Sequence, residues 1–348
     1  MNSISDTGER SDVLPRKVVG LLPAATAIAY PFLLQAFHLV VSAPDVGPSG
    51  FRLAGAAALL VLAFAMPLSG LAFAYWLTLT PQPSQLDLRA RRLAYASIAA
   101  PPLFVFLGVA KGLLGLRIPD VVLWIGLWTL AGLYGWSARV SLVPTQTTQP
   151  SGVWRIAHGV SAALIASFVL FHLTNHLFGL VGPDMHAKIM KAGRTVYRAS
   201  LIEPVLVILL LFQVASGVRL AWRWSDLRND AYRIFQIGSG AYLAAYILTH
   251  MNSAFVSARA VHNIQTDWAW ASGAPVGLIH DAWNIRLLPH YALGAFFIIG
   301  HLSSGLRVVM LAHGARAAVA NRTWAAGLTA GALISAAIVC ALCGVRVR

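Results

Sequence analysis

Charge is what this sequence lacks most. Of its 348 residues only 11% are charged, and just 12 are Asp or Glu. A soluble domain carries about 25% charged residues, so a water-solvated globule is excluded and lipid is indicated as the solvent. Hydrophobic residues make up 58% of the chain and its mean hydropathy is +0.69. Cysteine is nearly absent too. Cys340 and Cys343 are the only pair, too few for a disulfide framework or a zinc site. Their C-x-x-C spacing lies inside an apolar run, which favours two small packing or lipid-facing residues over a redox pair. The absence of C-x-x-C-H excludes covalent haem attachment. No G-x-G-x-x-G stands in a strand–helix context and no iron–sulfur cysteine pattern occurs, so flavins and clusters are excluded from this chain. A secretory signal is missing as well. The N-terminal tail mixes Asp6, Glu9 and Asp12 with its basic residues, and the apolar run after it is long enough to span, so the tail is expected to stay attached.

What is present is basic charge and apolar length. The net charge is +14, but Lys and Arg sit mainly between apolar runs. That argues against a nucleic-acid face and for the topology signal of membrane proteins. About 20 apolar residues cross a bilayer as a helix, and nine segments qualify: Val18–Val41, Leu53–Leu77, Leu93–Leu114, Val121–Val143, Ala157–Leu180, Leu201–Trp222, Ile234–Val256, Leu288–Leu311 and Trp324–Cys343. The expected fold is therefore all-α and polytopic, with about nine transmembrane helices. Pro23, Pro31, Pro67, Pro101 and Pro102 fall in the first three, where neighbouring helices tolerate kinks. Lys111 lies near the end of the third and can snorkel.

Orientation follows from the basic residues. Of the 26 Lys and Arg, 15 fall on the N-terminal side of the membrane when each is assigned to its nearest loop or tail. This predicts a cytoplasmic N-terminus in a bacterial inner membrane. Lys188, Lys191, Arg194 and Arg198, in the loop Gly182–Ser200, oppose the bias. The polar stretch Pro144–Val153 separates a four-helix region, residues 1–150, from a five-helix region, residues 151–348. The longest later loop, Arg259–Arg286, carries Trp268, Trp270 and Trp283, which suit a membrane–water interface.

The second region contains a repeat. Arg155-Ile-Ala-His-Gly-Val-Ser161, running on to His172, aligns without a gap with Arg233-Ile-Phe-Gln-Ile-Gly-Ser239, running on to His250. Arg-to-His is 17 residues in both copies, or about 25 Å of helix. One full hairpin separates the copies, so His172 and His250 are expected at the same depth. The following helices repeat too: Gln213-Val-Ala-Ser-Gly-Val-Arg219 matches His301-Leu-Ser-Ser-Gly-Leu-Arg307. Gln213 and His301 are therefore expected to be level, nearer the cytoplasm. The picture is two layers in a four-helix bundle.

Two imidazoles on different helices at one depth are what bis-His haem ligation needs, and bundle interiors hold cofactors. Histidines inside membrane spans are functional candidates. A porphyrin needs small neighbours, which Gly159, Ser161, Ser216, Gly217, Gly238, Ser239, Gly240, Ser304 and Gly305 supply; close helix packing is their alternative role.

With these motifs, residues 152–345 resemble the single-chain, five-helix cytochrome b membrane subunit of the succinate dehydrogenase/fumarate reductase family. The resemblance rests on the opening R-x-x-H followed by Gly, the His near the far end of that helix, and the repeated form with Gln in place of the first His. It implies haem b between His172 and His250, matching the family's distal haem. His301 matches one ligand of the proximal haem, whose partner position is Gln213. Gln is not a usual haem ligand, so one haem is the expected count. The resemblance further implies membrane lipid and quinone as partners, with flavoprotein and iron–sulfur subunits as the electron source or sink. The chain would be a non-catalytic or quinone-reactive subunit, relaying electrons between a partner oxidoreductase and a membrane quinone. Residues 1–150 have no counterpart in that family. Arg92 followed by Ser97, and Leu68-Ser-Gly-Leu71, read as faint echoes of the same bundle.

Other polar residues carry one or two readings. His176, four residues after His172, is expected as an interfacial histidine or a neighbour of a haem propionate or a quinone. His158 is expected as an interfacial histidine and His38 as structural. Glu203 sits at the far-side start of the sixth helix, as a quinone-side proton group or an acid complementing the helix dipole. His280, Asp281, His290 and Tyr291 are candidates for the same mouth. Two rivals stand beside the electron carrier. The missing His at Gln213 favours a haem-free anchor or assembly protein. Nine helices in two parts are also compatible with a transporter.

Overall fold

In the computed structural model, residues 16–43, 50–80, 82–139, 141–142 and 152–347 are described. The acidic positions of the tail and most of the polar divider lie outside the described residues. The chain is an all-α integral membrane protein. Eleven principal helices are α1 (Leu22–Ser42), α2 (Gly50–Thr78), α3 (Gln85–Ile98), α4 (Ala100–Leu113), α5 (Asp120–Trp136), α6 (Gly152–Leu177), α7 (Pro183–Tyr197), α8 (Ile202–Ser225), α9 (Ala231–Met251), α10 (Leu287–Ala312) and α11 (Ala317–Leu342). Among the described residues six helices are long and apolar enough to cross a membrane, or seven if a bent pair counts as one span. Large apolar side chains such as Leu164, Ile208 and Leu333 point outwards, which lipid satisfies and water does not.

The third expected span is that bent pair. α3 and α4 meet at 68°, because Pro101 and Pro102 occupy the first turn of α4 and cannot supply the N–H groups that would continue α3. α3 starts sharply at a reciprocal cap: Ser84 Oγ accepts from the Asp87 amide, and the Asp87 carboxylate accepts from the Ser84 amide. The expected loop Gly182–Ser200 changes as well. It is mostly α7, an amphipathic surface helix that buries His186 and Met190. Gly193 lets it approach α6, since a Cβ there would stand 2.3 Å from the Phe171 ring.

The two regions share their cores. Tyr30, Phe104 and Trp124 pack in one cluster with Ile285 and Leu288. Tyr95 and Ile98 pack in another with Ile234, Tyr242 and Phe297. Gly238 faces this seam, where a Cβ would meet Leu71 at 2.5 Å, so its smallness serves helix packing. Polar ties cross the same seam. Arg91, only 1% exposed, donates to the carbonyls of Leu77, Ser225 and Leu227 at 2.9–3.0 Å. It thus places a cation at the carboxyl ends of α2 and α8, where orphan carbonyls and the helix dipole favour it. Arg92 pairs with Asp226. Asp120 joins Lys111 at 2.6 Å and Arg286 at 2.7 Å, so Lys111 is paired as well as near a helix end. His38 Nδ1 lies 3.2 Å from the Ile279 carbonyl, in keeping with a structural role.

The bundle that positions the site is α6, α8, α9 and α10. Asp230 caps α9 by accepting from the Arg233 amide at 2.8 Å, which sets the start of the second repeat copy. α9 then passes directly into a π-helical stretch, Asn252–Val261, just beyond His250. One end of the bundle is ringed by arginines on aromatic faces: Arg219 over Trp154, Arg233 over Trp224 and Arg307 over Tyr232, at 3.6–4.7 Å. Such pairs suit a membrane–water boundary. This is the inner end, and the end bearing His172 and His250 is the outer.

Candidate functional site

The bundle encloses a cavity of about 630 Å³. Its walls carry two layers of histidine, each fed by a different pair of helices. In the outer layer His172 from α6 and His250 from α9 face one another with ring centres 5.9 Å apart. The depth argument from the repeat thus brings its two histidines together. Their surroundings are aromatic. Phe168 stacks on His172 at 5.7 Å, and Tyr246 stacks on His250 at 5.7 Å and 7°.

The outer layer continues into a row of rings. His176 lies 4.8 Å from His172, and His186 of α7 lies 5.3 Å from His176. His176 is half-buried and lines the cavity. Trp268 closes the row at 4.7 Å from His186. It can do so because Gly179 has no Cβ; one would lie 1.9 Å from the Trp268 ring. Asn175 Nδ2 is 3.1 Å from His186 Nε2, which makes Nε2 the acceptor and places the proton on Nδ1. Burial, then the nearby Arg194 guanidinium, push the His186 pKa down to about 4, with Asp267 opposing. His186 was not reached by sequence reasoning, since it sits in a segment with no apolar run.

The inner layer departs from expectation. His301 does face a ring across the cavity, but it is His158, with centres 6.3 Å apart. Gln213 is turned to its own neighbours instead. Its Nε2 donates to the His158 carbonyl at 2.8 Å and to Ser161 Oγ at 2.5 Å. His158 Nδ1 is 2.8 Å from Ser216 Oγ, and His301 Nδ1 is 3.0 Å from Ser239 Oγ. The repeat explains the pattern. Gln213 on Ser161 in the first copy occupies the place of His301 on Ser239 in the second. Each copy keeps one inner-layer histidine, on opposite helices, so the pair is His158 with His301. The aligned positions Gln236 and Gln213 hold the glutamines.

Small residues divide between the two roles weighed for them. Gly159, Gly217, Gly240 and Gly305 line the cavity. A Cβ at Gly159 or Gly305 would meet nothing within 4 Å, whereas one at Gly240 would stand 3.2 Å from His301. Arg155 and Arg233 border the cavity with the inner layer, and Arg194, Arg198 and Arg259 with the outer. Glu203 also borders it, ion-paired with Arg259 at 2.5 Å.

No protein family, curated protein or solved structure matches this chain.

A second cavity, of about 590 Å³, meets His250 from the other side. His290 and Tyr291 line it, together with Val105 and Val109 of α4. His280 and Asp281 do not; Asp281 instead accepts from the Trp283 and Asn284 amides, ordering the turn into α10. Cys340 and Cys343 are free thiols. Among the described residues no group of three or more His, Cys, Asp or Glu could hold a bare metal ion. Paired imidazoles across an apolar gap suit instead a metal that brings its own equatorial ligands.

Proposed function

We propose that this chain is a membrane electron-transfer subunit that holds haem b between His172 and His250 and relays electrons between a partner oxidoreductase and a membrane quinone. The observation that carries the reading is the facing of these two imidazoles across the cavity at 5.9 Å. Two imidazoles bound at about 2 Å to opposite sides of one metal ion have ring centres about 6 Å apart. The cavity wall is largely apolar and partly glycine, which leaves room for a flat macrocycle. Arg194 and Arg198, which also donate to Thr266, border the same cavity, where its carboxylates would meet them by charge-assisted hydrogen bonds.

When bound, haem b supplies reversible one-electron transfer at its iron. The chain's own residues do the rest. Phe168, Tyr246 and the π-helical turn after His250 restrain the two rings, and π turns recur at functional sites. Quinone reduction consumes two electrons and two protons, so it needs donors beside the headgroup. His290 and Tyr291, in the second cavity against His250, have that chemistry. Reading all nine helical segments as spans places both ends of the four bundle helices at opposite membrane faces. It assigns the arginine-ringed inner end to the cytoplasm of a bacterial cell, where flavoprotein or iron–sulfur subunits would dock.

Purified protein supplied with haem should take up one electron per haem from dithionite and return it when a soluble quinone is added. Protein that binds haem but is not reoxidised by any quinone would remove quinone from the reading. Protein that binds no haem would leave a haem-free anchor.

A further inference from the structure

We infer that His158 and His301 form a second bis-imidazole haem site at the inner end of the cavity, so that the chain carries two haems rather than one. The inference rests on the haem reading of the bundle but on different residues. It also departs from the resemblance, which pairs His301 with the Gln213 position.

Three independent observations carry it. The first is spacing: the His158 and His301 ring centres are 6.3 Å apart across the cavity, close to the about 6 Å expected for two imidazoles on one metal ion. The second is the protonation of each ring. Ser216 Oγ donates its only proton to the Phe212 carbonyl at 2.6 Å. Ser239 Oγ donates its own to the Gln236 carbonyl at 3.1 Å. With those donations made, both hydroxyls accept from the imidazoles, an arrangement in which the proton of His158 and of His301 lies on Nδ1. Nε2 then carries the lone pair in both rings, and a metal ligand needs that tautomer held by such an outer hydrogen bond. A histidine satisfied for purely structural ends has no need of a matched partner in the same tautomer.

The third is the enclosure. Gly159, Gly217 and Gly305 open the wall beside these rings, and Arg155 and Arg233 border the same cavity. The two arginines occupy equivalent repeat positions, three residues before His158 and Gln236, and suit a pair of carboxylates on one ligand. Gln213 is spent on Ser161 and the His158 carbonyl, so it holds the helix that bears the ligand and is not one itself. His158 and His172 are 14 residues apart on α6, about 21 Å along the axis. The two pairs would thus sit near opposite faces of the membrane.

The test is haem stoichiometry by the pyridine haemochrome method, with iron quantification, on detergent-purified protein from haem-replete cells. Two haems per chain are expected for the unaltered protein, with two steps in a redox titration and near-infrared magnetic circular dichroism of two bis-imidazole centres. His158→Ala or His301→Ala should lower the count to one and leave one redox step. His172→Ala or His250→Ala should also leave one, with the other step surviving. Gln213→Leu should keep two. A count of one in the unaltered protein, lost with His172 or His250 but indifferent to His158 and His301, overturns the second site and leaves the proposed function standing. A count of one lost only with His158 or His301 supports the inner site and overturns the outer ligand pair. Loss of a haem in Gln213→Leu but not in His158→Ala overturns the assignment of His158. The unaltered protein's count requires no variant to fold.

Discussion

The two histidine layers of the bundle are separated by about four turns of one helix, yet they are held in different ways. In the inner layer each imidazole is fixed by a serine hydroxyl, at 2.8 and 3.0 Å. In the outer layer the imidazoles are fixed by stacked aromatic rings, and the row continues through His176 and His186 to a surface helix. On the proposed haem reading, the difference separates two tasks. A hydrogen-bonded ring has one tautomer and one orientation, which suits a buried relay point. A stacked ring beside further histidines and a second cavity suits a place where electrons and protons both leave the protein.

The largest expected effect breaks the outer layer alone. His172→Ala or His250→Ala should abolish the haem signal assigned to that layer, read as loss of its step in a redox titration. A titration unchanged in both variants would remove the outer pair. Next, Arg91→Leu should act on both layers alike. It strips a cation from three buried carbonyls that tie α2, α3 and α8 together, a loss of about 3 kcal/mol by the usual worth of charged hydrogen bonds. Thermal unfolding in detergent should show one lowered transition. Two separate transitions would mean that residues 16–139 and the bundle melt independently.

A smaller change sharpens the contrast. Ser216→Ala and Ser239→Ala should weaken haem retention at the inner pair by about 10–100-fold, measured by competition with apomyoglobin, while the outer pair is unaffected. Equal weakening at both layers would contradict the serine lock. The smallest effect is acid sensitivity at the outer end. His186 has its pKa lowered to about 4 in the fold from an ordinary 6.5. Between those values the unfolded chain binds the proton and the folded one does not, so stability falls as pH drops from 6.5 towards 4. The loss is at most about 1.4 kcal/mol per pH unit. His186→Gln should flatten that dependence, followed by unfolding at pH 7 and pH 5.

Much of this was legible in the chain itself. The scarcity of charge identified the solvent, and apolar length located most of the helices, although among the described residues six, or seven with the bent pair, are long and apolar enough to span, against the nine expected. The gapless repeat brought His172 and His250 to one depth. What escaped did so for physical reasons. The repeat was compared position with position, so His301 was matched to its equivalent, Gln213. In the bundle, residues meet across the copies instead, and the ring facing His301 belongs to His158, whose equivalent is Gln236. The alignment held the clue, since each copy keeps one histidine and one glutamine in the inner layer. Helix α7 was hidden because its one apolar face is short and its basic face reads as a loop. The 68° bend at Ala99 was marked by Pro101 and Pro102, but prolines indicate a break without its angle. The π-helical stretch after His250 packs against α4, a contact that local residues do not signal.

The central claim is that two imidazoles from α6 and α9 share one iron. A reduced-minus-oxidised absorption spectrum of the purified, haem-supplemented protein tests it most directly, taken beside the His172→Ala/His250→Ala double variant. The account predicts a low-spin, bis-imidazole spectrum in the unaltered protein and loss of the outer component in the double variant. The absence of any Soret band, or a spectrum identical in the two proteins, would contradict it.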